Sequence, residues 1–153
     1  MTEVSGEPFG FGVFPEDRTL DVFSDCSWNR TEKFYTGAYI VGRGGEPRQV
    51  VLHCNSNMDA EMLASIAGLK AAACQRWEGQ EIVVHSDLRD IRRILYMAKR
   101  GPAAELRWLL KECRAVIFGD ANIYPELLTC HLHARIKAGI CREHPLYQVG
   151  TGR

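Results

Sequence analysis

The chain has 153 residues, 46% of them hydrophobic, and its 19 lysines and arginines balance its 19 aspartates and glutamates. This length suits one domain with a hydrophobic core, and the zero net charge excludes an overall field that would attract a polyanion or an anionic membrane. The apolar stretches are far shorter than the roughly 20 residues of a membrane-spanning helix, and the first residues lack the pattern of a signal peptide, so we expect a cytoplasmic protein without membrane contact.

The first half of the chain predicts three strands and a long helix. Residues 1–17 contain several glycines and prolines and little periodicity, which indicates an irregular N-terminal arm. Apolar residues recur at helical spacing over 57–77, after Asn57 as a candidate N-cap. Between arm and helix, three β-rich segments indicate an antiparallel meander at 19–25, 34–42 and 48–54.

The second half alternates strands and helices. A β-branched strand at 81–87 runs into a helix at 88–99, and Gly101-Pro102 then breaks the chain. The pattern beyond the break predicts a helix, a strand and a last helix at 103–113, 114–119 and 125–140. The order βββαβααβα predicts an α/β domain over 18–141 with a mixed sheet and helices on its faces, followed by a C-terminal tail at 142–153.

The six cysteines are scattered along the chain without any Cys-x-x-Cys pair. This spacing argues against a zinc knuckle or a redox motif, and we expect reduced thiols.

Three carboxylates are predicted to converge. Asp25 and Asp87 close the first and fourth strands, and ligands collect beyond the carboxyl ends of parallel strands. Glu61 lies in the first turn of the long helix, on a small or polar strip that we expect to border the sheet without being buried. Converging carboxylates repel unless a cation neutralises them, and oxygen-only ligands suit Mg²⁺ or Mn²⁺, two of which can act on a phosphodiester.

The segments around these acids resemble motifs of the type 1 ribonuclease H family, within the retroviral-integrase-like superfamily. VFSDCS is similar to the first-strand motif, with Asp25 as metal ligand and Cys26 in place of the usual Gly. SNMDAEMLASIAGLKAA is similar to the second motif and assigns Glu61, and IVVHSDLRDIRRIL is similar to the third and assigns Asp87. The resemblance covers roughly residues 19–140 and implies a five-stranded mixed sheet of order 3-2-1-4-5.

The fourth position departs from the family pattern, because HLHAR stands where the family carries an acid early in the last helix. A neutral imidazole can replace a carboxylate as a metal ligand. Direct alignment of HLHAR with the family motif selects His131. Helical phase favours His133, because an apolar stripe is expected to face the core and to place His133 beside it: Leu128, Leu132, Ile136 and Ile140.

A second departure lies in the loop at 119–125, where the family often carries a mobile histidine. Asp120 and Asn122 are the polar candidates there. The remaining histidines, His53, His85 and His144, are interpreted as structural or solvent-facing.

Polar residues near the three motifs are candidate contacts to nucleic acid. The resemblance implies recognition of 2′-hydroxyls in the minor groove of a hybrid. Ser27, Asn29, Asn55 and Asn57 lie on or beside the matching loops, and Arg89 begins a basic cluster that continues with Arg92, Arg93, Lys99 and Arg100.

The resemblance implies a two-metal endonuclease that cuts the RNA strand of RNA/DNA hybrids. Two alternatives stay open: a DNA nuclease or junction resolvase of the same superfamily, and a catalytically inactive module that binds nucleic acid. The sequence does not indicate a protein partner or a dimer.

Overall fold

A computed structural model describes residues 18–120 and 123–139. The predicted arm at 1–17, the tail at 142–153, and the candidates Asn122 and His144 lie outside the described residues. The strands are β1 (Thr19–Asn29), β2 (Phe34–Val41), β3 (Arg48–Leu52), β4 (Glu81–Ser86) and β5 (Ala115–Gly119). The helices are α1 (Asn57–Gln75), α2 (Ile91–Met97), α3 (Gly101–Glu112) and α4 (Pro125–Lys137).

The five strands form one mixed sheet of order β3-β2-β1-β4-β5. β1 pairs antiparallel with β2 and parallel with β4, and β5 extends the parallel part. The predicted fold class and strand order are therefore confirmed. Within the described residues, no helix combines the length and apolar character needed to cross a membrane.

β1 does not end at Asp25 as predicted but continues to Asn29. Its parallel pairing with β4 stops at Ser24 opposite Ser86, while its antiparallel pairing with β2 continues to Asn29 opposite Phe34. Asp25 and Asp87 therefore both lie one residue beyond the paired segment of two parallel strands. The opening between the two strands at this edge positions the acids, as the rule for parallel sheets requires.

α1 packs closely on the sheet through residues without large side chains. Ser56, not Asn57, is its N-cap, and its side chain accepts a hydrogen bond from the Asp59 amide at 3.1 Å. A Cβ atom added at Gly68 would lie 2.7 Å from Val22 Cγ1 and 3.2 Å from Tyr39 Cβ. Close approach buries the whole strip, so the expectation that Glu61 borders the sheet without being buried is wrong.

α4 covers the opposite face, but with another stripe than the one predicted. Its buried residues are Leu127, Cys130 and Ala134, which pack on Phe23 and Ile40. Leu128, expected in the core, is 56% exposed. The prediction failed because cysteine and alanine form the buried stripe, and their small side chains carry a weaker apolar signal than leucine and isoleucine.

We expect Gly68→Ala to destabilise the protein by about 1 kcal/mol or more, because the overlap with Val22 and Tyr39 exceeds the gain in helix propensity. Urea unfolding of parent and variant measures the change. Lys70→Ala, an exposed position of the same helix, is the control and is expected to stay near the parent. A Gly68→Ala variant more stable than the parent would contradict the close packing.

Candidate metal centre and nucleic-acid groove

Asp25 is the central residue of the candidate site. Its side chain is buried in the middle of β1, and Oδ1 accepts a hydrogen bond from the Cys26 amide at 2.8 Å. Oδ2 lies 2.9 Å from Nδ1 of His131 in α4. The carboxylate is thus fixed from the strand on one side and from the last helix on the other.

Glu61 brings a second carboxylate to Asp25 from the opposite face of the sheet. It is 5% exposed, and its Oε1 is buried without a hydrogen-bond partner. Burial raises the pKa of Glu61 to about 9, and the negative charges of Asp25 and Asp87 contribute in the same direction. The arrangement is unfavourable for the protein alone and suits a cation.

Cys26 completes a compact donor set. One ligand atom from each of Asp25, Cys26 and Glu61 lies within 4.8 Å of the others, and all three side chains are buried. Burial, together with the nearby carboxylates, raises the pKa of the Cys26 thiol. The thiol is therefore neutral in the protein alone.

Asp87 is the third acid, directly after β4 and half-buried. Burial and the charge of Asp25 raise its pKa, while His131 and Arg89 act in the opposite direction. Asp25 and Asp87 follow the paired residues Ser24 and Ser86 on neighbouring strands, so the charge of Asp25 acts on Asp87. Asp25 and Glu61 belong to the donor set within 4.8 Å, and Asp87 lies outside that set, one residue beyond the end of the neighbouring strand pairing.

The structure places His131, not His133, against the acids. The hydrogen bond to Asp25 raises the pKa of His131, whose side chain is 47% exposed. The described contact of His133 is through its backbone carbonyl, which accepts from Gln49 Nε2 in β3 at 2.9 Å. The preference for His133 from helical phase is corrected, because it rested on the wrong buried stripe of α4.

Side chains of the sheet hold the carbonyl groups at the end of α4. The Thr36 hydroxyl donates to the Ala134 carbonyl at 2.6 Å, and Asn29 Nδ2 donates to the Ala138 carbonyl. With the Gln49 contact, three side chains from β1, β2 and β3 fix the helix on the sheet. These bonds set the rotation of α4 and hence the direction of His131.

A groove of about 850 Å³ begins at His131 and extends along the β1–β2 hairpin. The predicted contacts Ser27 and Asn29 line it, although both polar groups of Asn29 already bond to protein partners, Ala138 and Glu32. Prediction from the sequence missed the other lining residues, among them Trp28, Arg30, Glu32 and Arg135. The groove combines an aromatic ring with two arginines and one glutamate beside His131, and Arg135, as the last residue of HLHAR, could have been noticed in the sequence.

The other predicted contacts surround the start of α1 and α2. Asn55 and Asn57 are exposed, and Asn57 Oδ1 accepts a hydrogen bond from the Cys26 thiol at 3.5 Å. Arg89 is exposed and lines a second hollow of about 610 Å³ together with Met58 and Arg93. The remaining basic residues of the predicted cluster, Arg92, Lys99 and Arg100, are also exposed.

Asp120 belongs to a separate network centred on His85. The imidazole of His85 bonds to Asp120 through Nδ1 and to Asp21 through Nε2, the latter at 2.9 Å. Burial opposes the charged form of His85, but the two carboxylates outweigh it and raise its pKa, while the pKa of Asp21 is lowered by His85. Asp120 is thus engaged away from the acid cluster, and the position of Asn122 lies outside the described residues.

Comparison with solved structures reveals a common fold at low sequence identity. The N-terminal ribonuclease H domain of Rv2228c from Mycobacterium tuberculosis, solved as a fusion with maltose-binding protein, matches with a TM-score of 0.56 and 14% identity, over 79% of this chain and 96% of that one. Ribonuclease H1 from Halobacterium salinarum matches with a TM-score of 0.50 and 17% identity, over 65% and 83%. LC11-RNase H1 in complex with an RNA/DNA hybrid matches with a TM-score of 0.52 and 14% identity, over 65% and 82%. No protein-family model matches this chain, and no curated protein sequence matches it.

We expect Glu61→Gln to stabilise the protein in a metal-chelating buffer above about pH 7, by an amount on the order of 2 kcal/mol. The pKa of Glu61 is raised in the folded protein. Glu61 therefore destabilises the folded state at pH values above its unfolded pKa, and this destabilisation grows as the pH rises towards about 9. Urea unfolding between about pH 4 and pH 8 measures the difference. Glu78→Gln, an exposed acid, is the control, and equal pH dependence of parent and Glu61→Gln would contradict the shift.

We expect His85→Gln to destabilise the protein by about 2 kcal/mol near pH 6, because Asp120 loses the His85 cation and Asp21 keeps only Arg43 at 3.4 Å. The pKa of His85 is raised in the folded protein. Its stabilising contribution is therefore complete below the unfolded pKa of about 6.5, and it is lost as the pH rises through the folded pKa. Urea unfolding from about pH 5 to pH 9 measures the difference. His53→Gln, an exposed histidine after β3, is the control, and a pH-independent loss in His85→Gln would mean that the imidazole is neutral.

Proposed function

We propose that this chain, which has the ribonuclease H fold, is a divalent-metal-dependent endonuclease that hydrolyses the RNA strand of RNA/DNA hybrids. The observation that carries the proposal is the close approach of Asp25 and Glu61, with donor atoms within 4.8 Å, beside Asp87 and His131. A likeness in fold alone does not assign an activity, since the same fold serves several reactions. The site supplies the second argument.

The carboxylates of the site suit hard divalent cations, and two such ions are proposed. The unpartnered Oε1 of Glu61 and the raised pKa values of Glu61 and Asp87 describe carboxylates that lack a neutralising charge. Carboxylate oxygens are the preferred ligands of Mg²⁺ and Mn²⁺. We assign Asp25, Glu61, Asp87 and His131 to hold the ions, which when bound activate water and neutralise charge on a phosphodiester.

The protein's own side chains prepare the site for this role. The Cys26 amide orients Asp25, and α1 holds Glu61 in a buried position. The carboxylate of Asp25 raises the pKa of His131 and favours its protonated form, whereas a metal ion binds the neutral imidazole. The expected products carry 3′-hydroxyl and 5′-phosphate ends.

The groove beside His131 is assigned to the nucleic acid. Arg30 and Arg135 offer positive charge for phosphates, and Trp28, tilted against Tyr35 at 4.5 Å between ring centres, offers a face for stacking. Ser27 supplies a hydroxyl that can bond to a 2′-hydroxyl. The structural neighbour LC11-RNase H1, solved with an RNA/DNA hybrid, supports the hybrid as the substrate class.

Asn29, Asn55, Asn57 and Arg89 are assigned to flanking contacts of the same nucleic acid. Three of these residues are exposed around the acids, and Asn29 borders the groove. We place the activity in the cytoplasm, because the described cysteines are free thiols, which fits a reducing compartment.

We expect the parent to cleave a labelled RNA/DNA hybrid with Mg²⁺ or Mn²⁺, and Asp25→Asn to lose at least about a hundredfold in rate, because the central donor loses its charge. Gel analysis of the labelled RNA strand measures the rate. Asp59→Asn is the control, since Asp59 lies in the first turn of α1, two residues before Glu61, but outside the donor set.

Parallel reactions with double-stranded RNA and four-way DNA junctions test the substrate class. Cleavage of the junction in preference to the hybrid would replace the proposal by a resolvase. Absence of hydrolysis with either metal would reduce the chain to a binding module, and equal rates in parent and Asp25→Asn would indicate a contaminating nuclease.

We expect His131→Ala to reduce hybrid cleavage by about tenfold or more, while His133→Ala stays within about twofold of the parent. The two residues lie on the same helix, and His131 is the one whose imidazole contacts Asp25. The Mg²⁺ dependence of the rate is measured for each variant. A larger loss in His133→Ala than in His131→Ala would reverse the assignment.

A further inference from the structure

Cys26 introduces a sulfur atom into a donor set that otherwise consists of oxygens. The residue occupies the position directly after Asp25, and its side chain is buried at 6% exposure. Its Sγ lies within 4.8 Å of a carboxylate oxygen of Asp25 and of Glu61. The thiol donates only weakly at present, to Asn57 Oδ1 at 3.5 Å and to the Asn57 carbonyl at 4.0 Å.

We infer that Cys26, Asp25 and Glu61 form a binding site for a thiophilic divalent cation of the Zn²⁺ or Cd²⁺ class. Thiolate ligands favour such ions over Mg²⁺ and Mn²⁺, which prefer oxygen. Zn²⁺ accepts both thiolate sulfur and carboxylate oxygen as ligands, and three protein ligands leave a fourth position to solvent.

The distances permit this coordination with small adjustments. Zn–S bonds of about 2.3 Å and Zn–O bonds of about 2.1 Å place the ligand atoms of a tetrahedral site roughly 3.5 Å apart. The three donor atoms, already within 4.8 Å of one another, need to approach by only about an ångström. Rotation of the Cys26 and Glu61 side chains supplies such a shift without moving the backbone.

Glu61 gives the independent indication of a ligand. Glu61 is only 5% exposed, and its Oε1 has no hydrogen-bond partner. Buried polar atoms in folded proteins almost always have a partner, so an unpartnered carboxylate oxygen beside a thiol points to a missing cation. When the ion binds, the S–H bond of Cys26 breaks, the S–metal bond forms, and the proton leaves to water.

The inference has a regulatory consequence that rests on the proposed function. A thiophilic ion at Asp25 and Glu61 occupies the same carboxylates that we assign to the catalytic ions. Zn²⁺ or Cd²⁺ should therefore compete with Mg²⁺ and inhibit cleavage, and Cys26 determines how strongly they compete.

The test is a titration of the full chain with Cd²⁺, without Mg²⁺, followed by ultraviolet absorption of the thiolate-to-metal charge transfer and by calorimetry. The variants are Cys26→Ala and, as matched control, Cys74→Ala. Cys74 is exposed on α1, 13 residues and about 20 Å along the helix from Glu61. The parent and Cys74→Ala are expected to show the charge-transfer absorbance at low Cd²⁺ concentration. Cys26→Ala is expected to lack this absorbance and to bind Cd²⁺ at least about tenfold more weakly.

Cadmium NMR of the parent provides a measurement that does not depend on any variant. A chemical shift typical of one sulfur ligand is expected, and a shift typical of oxygen ligands alone would overturn the inference. An unchanged charge-transfer component in Cys26→Ala would overturn it as well.

Inhibition of hybrid cleavage is compared in the same three proteins, each relative to its own rate in Mg²⁺. Cd²⁺ should inhibit the parent and Cys74→Ala at concentrations at least about tenfold lower than Cys26→Ala. Equal inhibition of all three would overturn the regulatory role. Absence of cleavage in Mg²⁺ would instead contradict the proposed function, while the absorbance and NMR results would still decide the metal site.

Discussion

The close contact between α1 and the sheet is the constraint on which the candidate site depends. Gly68 lies against Val22 and Tyr39 with no space for a methyl group, and Ser65 bonds to Ser24 at 3.0 Å across the same interface. This proximity carries Glu61 into the interior beside Asp25. The molecule therefore buries a carboxylate with an unpartnered Oε1 at a position where packing favours an apolar residue, which is a cost to folding that an ion can offset.

Two imidazole–carboxylate clusters lie on the α4 side of the sheet and differ in solvent access. His85 is nearly enclosed, with Asp21 and Asp120 occupying both ring nitrogens. His131 is about half exposed and is bound to Asp25 through one nitrogen. Phe23, fully buried and stacked on His85 at 4.7 Å, lies between Asp21 and Asp25 along β1. The enclosed cluster suits a structural role, and the open one suits exchange of ligands.

The strands could be predicted from local patterns, whereas the strand order came from the resemblance to ribonuclease H motifs. Alternation identified the strands, and carboxylates at strand ends indicated the opening between β1 and β4. Three features depended on tertiary contacts instead. The burial of Glu61 follows from small residues that pack closely, and the orientation of α4 follows from Cys130 and Ala134, whose apolar character is modest. The groove combines residues far apart in the chain, such as Trp28 and Arg135, and no spacing rule joins them.

The bonds from the sheet to α4 make the strands part of the control of His131. Thr36 is buried, and its hydroxyl lies under the last turn of the helix rather than near the acids. Because Thr36, Gln49 and Asn29 all hold carbonyl groups of one helical end, a change in the meander alters the setting of the helix as a rigid rod. The three strands thus determine which face of α4 lies against Asp25.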